Sequence, residues 1–273
     1  MAWMKSPLLR KSIALSMELV LLTGFSTLLG TLEPKSAHAI PQRLLVADYE
    51  PPVNISAPGR REGGGTRGGN CPIAKKPLTA LIPANNIGFT VAQNPVLLFY
   101  LPAMPPQAKP LPVEFVLRDG NEKEIYTTTF MMPRKSGIVS VRVPVSADVP
   151  PLEVGNNYHW FLSILCNPPE RSPNIFVEGW IRRVPLNATL NNNLKQATLK
   201  DRPDIYAEAG IWFDALNTLA ALRQSNPKDS AVSSEWAKLL KAVGLEHMAT
   251  EPLVPISPIP SNNATLSQPS PKN

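Results

Sequence analysis

Leu152-Glu153-Val154-Gly155-Asn156-Asn157-Tyr158-His159-Trp160-Phe161-Leu162-Ser163-Ile164 is the stretch that decides the fold. Its second half alternates, so Tyr158, Trp160, Leu162 and Ile164 share one face of a strand while His159 points the other way. Its first half has the spacing L-x-x-G-x-x-Y, with Gly155 able to take the sharp turn that leads into the strand. Working outward, further strands are expected over 79–82, 89–91, 96–101, 113–117, 124–130, 137–143 and 175–184, with Asp119-Gly120-Asn121 as a turn. Turn residues separate these runs and no long helical pattern interrupts them. About seven short strands in succession argue for an antiparallel β-sandwich over residues 78–185.

The L-x-x-G-x-x-Y spacing resembles the tyrosine corner of fibronectin type III and other immunoglobulin-like domains, in which a tyrosine opening strand F sends its hydroxyl back to upstream backbone. Tyr158 and Gly155 are therefore assigned structural roles.

The pattern changes after Pro185. Residues 186–199 form a weak helix candidate, rich in asparagine. Asp201-Arg202-Pro203-Asp204 reads as a helix start, because proline is tolerated in the first turn and acids complement the dipole there. Helical periodicity then runs through 205–224 and returns over 234–243, before Gly244. Gly210, Trp212, Ala215, Leu219, Leu222 and Pro227 resemble the second half of a tetratricopeptide repeat, where the small residue lets two helices approach. Pro203 spoils the first half and no second repeat follows. Residues 186–250 are thus expected to form a helical hairpin packed on the sandwich, with Gly210 and Trp212 structural.

The ends have a different character. Lys5, Arg10 and Lys11 precede a mostly apolar run, 13–32, and then Ala37-His38-Ala39. That order reads as a signal peptide over 1–39, with an uncleaved anchor as the alternative. Residues 40–77 are rich in glycine and proline and lack periodicity, and 251–273 reads as a disordered proline-rich tail. Of 273 residues, 31 are proline, which suits a turn-rich β protein better than a helical one. Two cysteines, Cys71 and Cys166, in an exported chain favour one disulfide, the alternative being two buried thiols. Closing so long a loop stabilises by about 3–5 kcal/mol in the chain-entropy view.

The net charge of +6 is spread along the chain. It suits an envelope or secreted protein partner or a polysaccharide, and lacks the clustering of a nucleic-acid footprint. No transmembrane segment is expected once the leader is removed.

Chemistry is sparse. Gly63-x-Gly65-x-x-Gly68 matches a dinucleotide fingerprint in letters, but no strand precedes it and Cys71-Pro72 follows where a helix should begin. Arg67 among these glycines could hold an anion, but a flexible, disulfide-tethered loop is the preferred reading. His159 and His247 lack ligand spacing, so neither metal nor cofactor is expected. Asp204, Glu208 and Asp214 could pair for glycoside hydrolysis, but acids in a first helical turn are explained by the dipole alone. Trp160, Trp180, Trp212 and Trp236 are candidates for a sugar-stacking face, set against the usual reading of such aromatics as core.

Taken in order, Gly63-Gly64-Gly65-Thr66-Arg67-Gly68, Cys71, Leu78-Thr79-Ala80-Leu81, Phe99-Tyr100-Leu101-Pro102, Gly155-x-x-Tyr158-x-Trp160, Cys166, Val177-x-Gly179-Trp180-Ile181-x-Arg183 and Gly210-Ile211-Trp212-Phe213-Asp214-Ala215 resemble the cyanobacterial domain of unknown function 928 family, from about Gly63 to Glu251. The resemblance implies an exported protein with a cysteine pair and supplies no catalytic residue. The expected function is a noncatalytic binding module of the cell envelope, with a carbohydrate-binding module or a hydrolase as alternatives.

Overall fold

The computed structural model describes residues 49–52, 55–63, 71, 76–167 and 174–258, all within one compact unit. The expected leader, most of the glycine fingerprint with Arg67, and residues 259–273 lie outside them.

Strands β1 (Thr79–Ala80), β3 (Val96–Leu101) and β6 (Gly137–Arg142) form a three-stranded sheet in the order β1-β3-β6. The larger sheet holds β2 (Ile87–Thr90), β8 (Ile175–Arg183), β7 (Asn157–Ile164), β4 (Pro112–Arg118), β5 (Glu124–Met131) and the short β9 (Ser257–Pro258), in that order. Alternation dictates the burial of its central strands. Val113, Phe115 and Leu117 of β4, and Tyr158, Trp160, Leu162 and Ile164 of β7, are all buried. Phe99 of β3 meets them across the gap, its ring 5.3 Å from Trp160 and 6.1 Å from Phe115.

β3 does not alternate. All six of its residues are buried, the mark of a strand covered on both faces. Phe99 faces the large sheet, and Tyr100 faces the helices. The small sheet is thus the middle layer, with one core running from the large sheet through it into the helices.

Among the described residues the α-helices are α1 (Ala188–Gln196), α2 (Arg202–Glu208), α3 (Trp212–Ser225) and α4 (Ser230–Ala242). Two features of this region have local causes. The asparagine-rich 186–199 segment is helical because Asn187 sits at its start, accepting from Leu190 N–H at 2.8 Å. The continuous periodicity of 205–224 is broken at Gly210, whose φ of +70° ends α2 and re-aims the chain into α3. A methyl at Gly210 would lie 3.1 Å from Glu50 O, so the glycine admits the 49–52 segment and does not serve as a repeat-type helix contact.

The sheet is mixed, not purely antiparallel. β2 runs parallel to β8, with Ile87 opposite Trp180 and Thr90 opposite Arg183.

Two segments outside the main strands join the sheets. Arg60 bridges Glu178 of β8, and Glu62 bridges Thr79 of β1. Cys71 and Cys166 form a disulfide, and the Arg61 Nη1 donates to Val243 O at the end of α4, 2.7 Å away. At the opposite margin, residues expected to open a disordered tail are ordered. Leu253 bridges Ile138 of β6 in parallel, and Ser257 and Pro258 pair with Met131 and Phe130 of β5. Their apolar residues find a groove that composition alone does not reveal: a methyl at Gly137 would lie 2.7 Å from Val254 Cγ1.

Candidate functional site

Gly155 adopts φ +89°, and the Tyr158 hydroxyl accepts from Glu153 N–H at 2.8 Å. The Arg183 Nη1 donates to Leu152 O and Gly155 N–H donates to Arg183 O at 2.7 Å. The corner therefore holds β7 and β8 in register at one end. Trp212 is fully buried, its Nε1 donating to Leu81 O at 2.9 Å. These residues build the scaffold.

Three of the four tryptophans proposed for sugar stacking are excluded by burial. Trp160 is 1 % exposed, and Trp212 and Trp236 are 0 % exposed. Trp180 differs because it lies on the outward phase of β8. Register places His159 directly opposite it on β7 and Arg118 of β4 opposite His159.

The outcome is a ladder of rings and guanidinium groups on the outer face of the large sheet. His159 stacks on Trp180 with centroids 4.3 Å apart and an interplanar angle of 8°. Phe161 lies 4.2 Å from His159 and carries Arg118 over its ring at 4.9 Å. Phe176 carries Arg60 at 4.8 Å. Two carboxylates flank the histidine: Nδ1 is 3.0 Å from Glu122 Oε1, and Nε2 approaches Glu178 Oε2 at 3.5 Å without a hydrogen bond. Burial is the largest single influence on the Glu122 carboxyl and raises it, but His159 and Arg118 together outweigh it and hold the group below its ordinary value. Glu122 itself has φ +61°, in the turn where Asp119 Oδ1 accepts from Asn121 and Lys123 N–H. Sequence reading placed His159 outward but missed this ladder, since its members come from three strands and the 60–62 segment. The outward phases of β4, β7 and β8, read together with register, are the signal that finds it.

Of the acids considered for hydrolysis, Asp204 and Glu208 lie near enough to interact, whereas Asp214 is held apart from them. Asp214 is pushed up to about 6, chiefly by burial, and its Oδ2 accepts from Thr90 Oγ1 at 2.6 Å and from Val91 N–H at 3.2 Å. It ties α3 to the end of β2. Asp204 is also raised to about 6, by burial first and then by Glu235 and Glu208. Each raised carboxylate thus has its own surroundings. A cavity of about 570 Å³ beside the tyrosine corner is lined by Asp119 and Glu153, but Asp119 is held in its turn and Glu153 Oε2 accepts from Asn156 Nδ2 at 2.8 Å. Among the described residues, no group of three histidine, cysteine or acidic side chains is placed to hold a metal, and no helix is long and apolar enough to cross a membrane.

No curated protein is similar enough to the chain to count as a match. Among solved structures, a β-glucuronidase of Parabacteroides merdae, crystallised with glycerol in its active site, is 9% identical with a TM-score of 0.26; the match covers 65% of this chain and 28% of that one. The family model described as Domain of Unknown Function (DUF928) matches residues 62–253, from the first sheet-joining segment through the helices to Leu253, and the chain belongs to that family.

Proposed function

We propose that the chain is an exported, noncatalytic binding module of a cyanobacterial cell envelope, and that it engages another protein through the outer face of its large sheet. The single observation that carries this reading is the ring-and-guanidinium ladder of Trp180, His159, Phe161 and Arg118, with Phe176 and Arg60 beside it. Aromatic residues and arginine are the types enriched at protein interfaces. A sugar platform needs a broad ring face open to solvent. Here Trp180 is stacked by His159, and Phe161 and Phe176 are each covered on one side by an arginine, so a polysaccharide is the second choice. The disulfide agrees with an oxidising compartment.

The finer fold reading is an immunoglobulin-like sandwich followed by the α3–α4 hairpin. The order β1-β3-β6 against β8-β7-β4-β5 follows the A-B-E and G-F-C-C′ order of those domains, and the Tyr158 hydroxyl bond supports it.

The test is affinity capture from cyanobacterial envelope with the tagged chain and its Trp180→Ala and Arg118→Ala variants, checked for folding by near-ultraviolet circular dichroism. A protein retained by the parent and lost with both folded variants supports the reading. Equal retention by all three, or retention of purified polysaccharide alone, defeats it.

A further inference from the structure

A groove between β6 and α3 has the features of a peptide site. In the β3–β6 ladder Val143 N–H donates to Pro95 O at 3.0 Å, so the odd-numbered residues of β6 turn their amide groups toward β3. Ile138, of opposite parity, donates to Pro252 O at 2.7 Å and accepts from Val254 N–H at 2.9 Å. Ser140 and Arg142 share the parity of Ile138. Their backbone groups therefore face away from β3, along the sheet edge where the C-terminal segment lies beside Ile138. That segment leaves the edge after Val254 to reach β5, and no described backbone group bonds the outward side of Ser140 or Arg142.

Where it departs, a cavity of about 410 Å³ opens, within the size range of small ligand sites. Its walls are Ile138, Ser140 and Arg142 of β6, Ala220 and Ala221 of α3, and Pro255 and Ile256 beyond the bridge. Its lining mixes apolar carbon with the polar groups of Ser140, Arg142, Asn217 and Gln224. The exposed Arg142 makes no ion pair among the described residues. It also lines a smaller cavity of about 100 Å³ that continues to Asp214, whose Oδ2 is already held by Thr90 and Val91.

We propose that this groove binds an extended segment of a partner polypeptide by strand addition, its backbone pairing with Ser140 and Arg142 and a carboxylate of the segment meeting the Arg142 guanidinium. An unpaired sheet edge recognises main chain, and side-chain pockets beside it supply selectivity. A guanidinium without a partner selects a carboxylate, which it can hold through two parallel bonds. Ile138, Ala220, Ala221 and Ile256 in the lining fit an aliphatic side chain alternating with it. The site is independent of the outer-face reading, because it lies on the other sheet.

The experiment uses the full oxidised chain, nuclear magnetic resonance and a panel of short peptides of alternating valine and threonine, each carrying one aspartate at a different position. In the free protein the amides of Ser140 and Arg142 exchange rapidly, whereas those of Val139 and Val141 are protected; protection of all four means the edge is covered and overturns the proposal. On addition of peptide, the Ser140 and Arg142 amides become protected for a subset of aspartate positions. Arg142→Ala weakens this binding about tenfold or more. Ser140→Pro abolishes it without lowering thermal stability, because proline is tolerated where an edge amide has no partner. Trp180→Ala leaves it unchanged, which separates it from the outer face. Absence of binding at millimolar peptide, binding that survives Ser140→Pro, or protection caused by self-association of the chain at this edge each overturns it.

Discussion

At one margin of the two sheets the chain crosses from β8 to β1 through Arg60 and Glu62; at the other it crosses from β6 to β5 through Leu253 and Ser257. The first crossing has a covalent companion, Cys71–Cys166, and is also tied to α4 through Arg61. The second is noncovalent. It rests on the pairings at Ile138 and β5, on Val254 packed against Gly137, and on the Arg223 Nη1 bond to Glu251 O at 2.8 Å. The Lys76–Glu251 ion pair at 2.6 Å connects the two systems. The same problem, an exposed sheet edge, is solved firmly at one side and lightly at the other. Segments that open easily are those held by few buried contacts, so motion is expected at the second margin.

The largest effect expected is at the first. Cys71→Ser with Cys166→Ser lowers stability by about 4 kcal/mol, the entropy of a loop with a sequence separation of 95 residues. Urea midpoints with and without reductant measure it. A loss below about 1 kcal/mol would remove the asymmetry.

The second prediction concerns Asp214, which fastens α3 to β2. An unfolded aspartate titrates at its ordinary 3.8, whereas Asp214 is pushed up to about 6. Between those values the folded chain holds more protons than the unfolded one, so this group's contribution is full below about pH 4 and is lost as pH rises through 6. The swing is about 3 kcal/mol. Asp214→Asn flattens that part of the stability profile, leaving the smaller slope due to Asp204, which is raised for similar reasons. An unchanged profile refutes the assignment.

These two expectations depend unequally on the sequence. The strands around Tyr158 were legible because one face of each is buried, and burial imposes alternation. The corner was legible because a positive φ and a returning hydroxyl demand glycine and tyrosine at fixed spacing. The ladder at Trp180 was not, since register between β4, β7 and β8 is set by long-range packing. Gly210 was read as a small helix contact because periodicity is blind to a single left-handed residue. The ordered stretch after Glu251 was hidden by its prolines, which argue against helix and central strand but not against a sheet edge.

At the light margin, Gly137→Ala places a methyl 2.7 Å from Val254 Cγ1 and 2.8 Å from Pro252 O. The segment lifts, lowering stability by about 1–2 kcal/mol. Hydrogen exchange at the Val254 amide accelerates while that at Phe115 does not; acceleration at both would show the margins to be one cooperative unit. The smallest effect is Arg223→Ala, about 1 kcal/mol, from the lost bond to Glu251 O and the contact with the Trp236 ring at 5.3 Å. Thermal melts resolve it.

The bridge between Arg60 and Glu178 has a bearing on how the molecule is made. The strand partner of Arg60 is encoded more than a hundred positions downstream, and Ile138 lies about as far from Leu253. The first seam cannot close before Glu178 has emerged, and the second not before Leu253. Such remote pairings predict slow acquisition of structure after synthesis, which keeps a polypeptide threadable through a narrow pore.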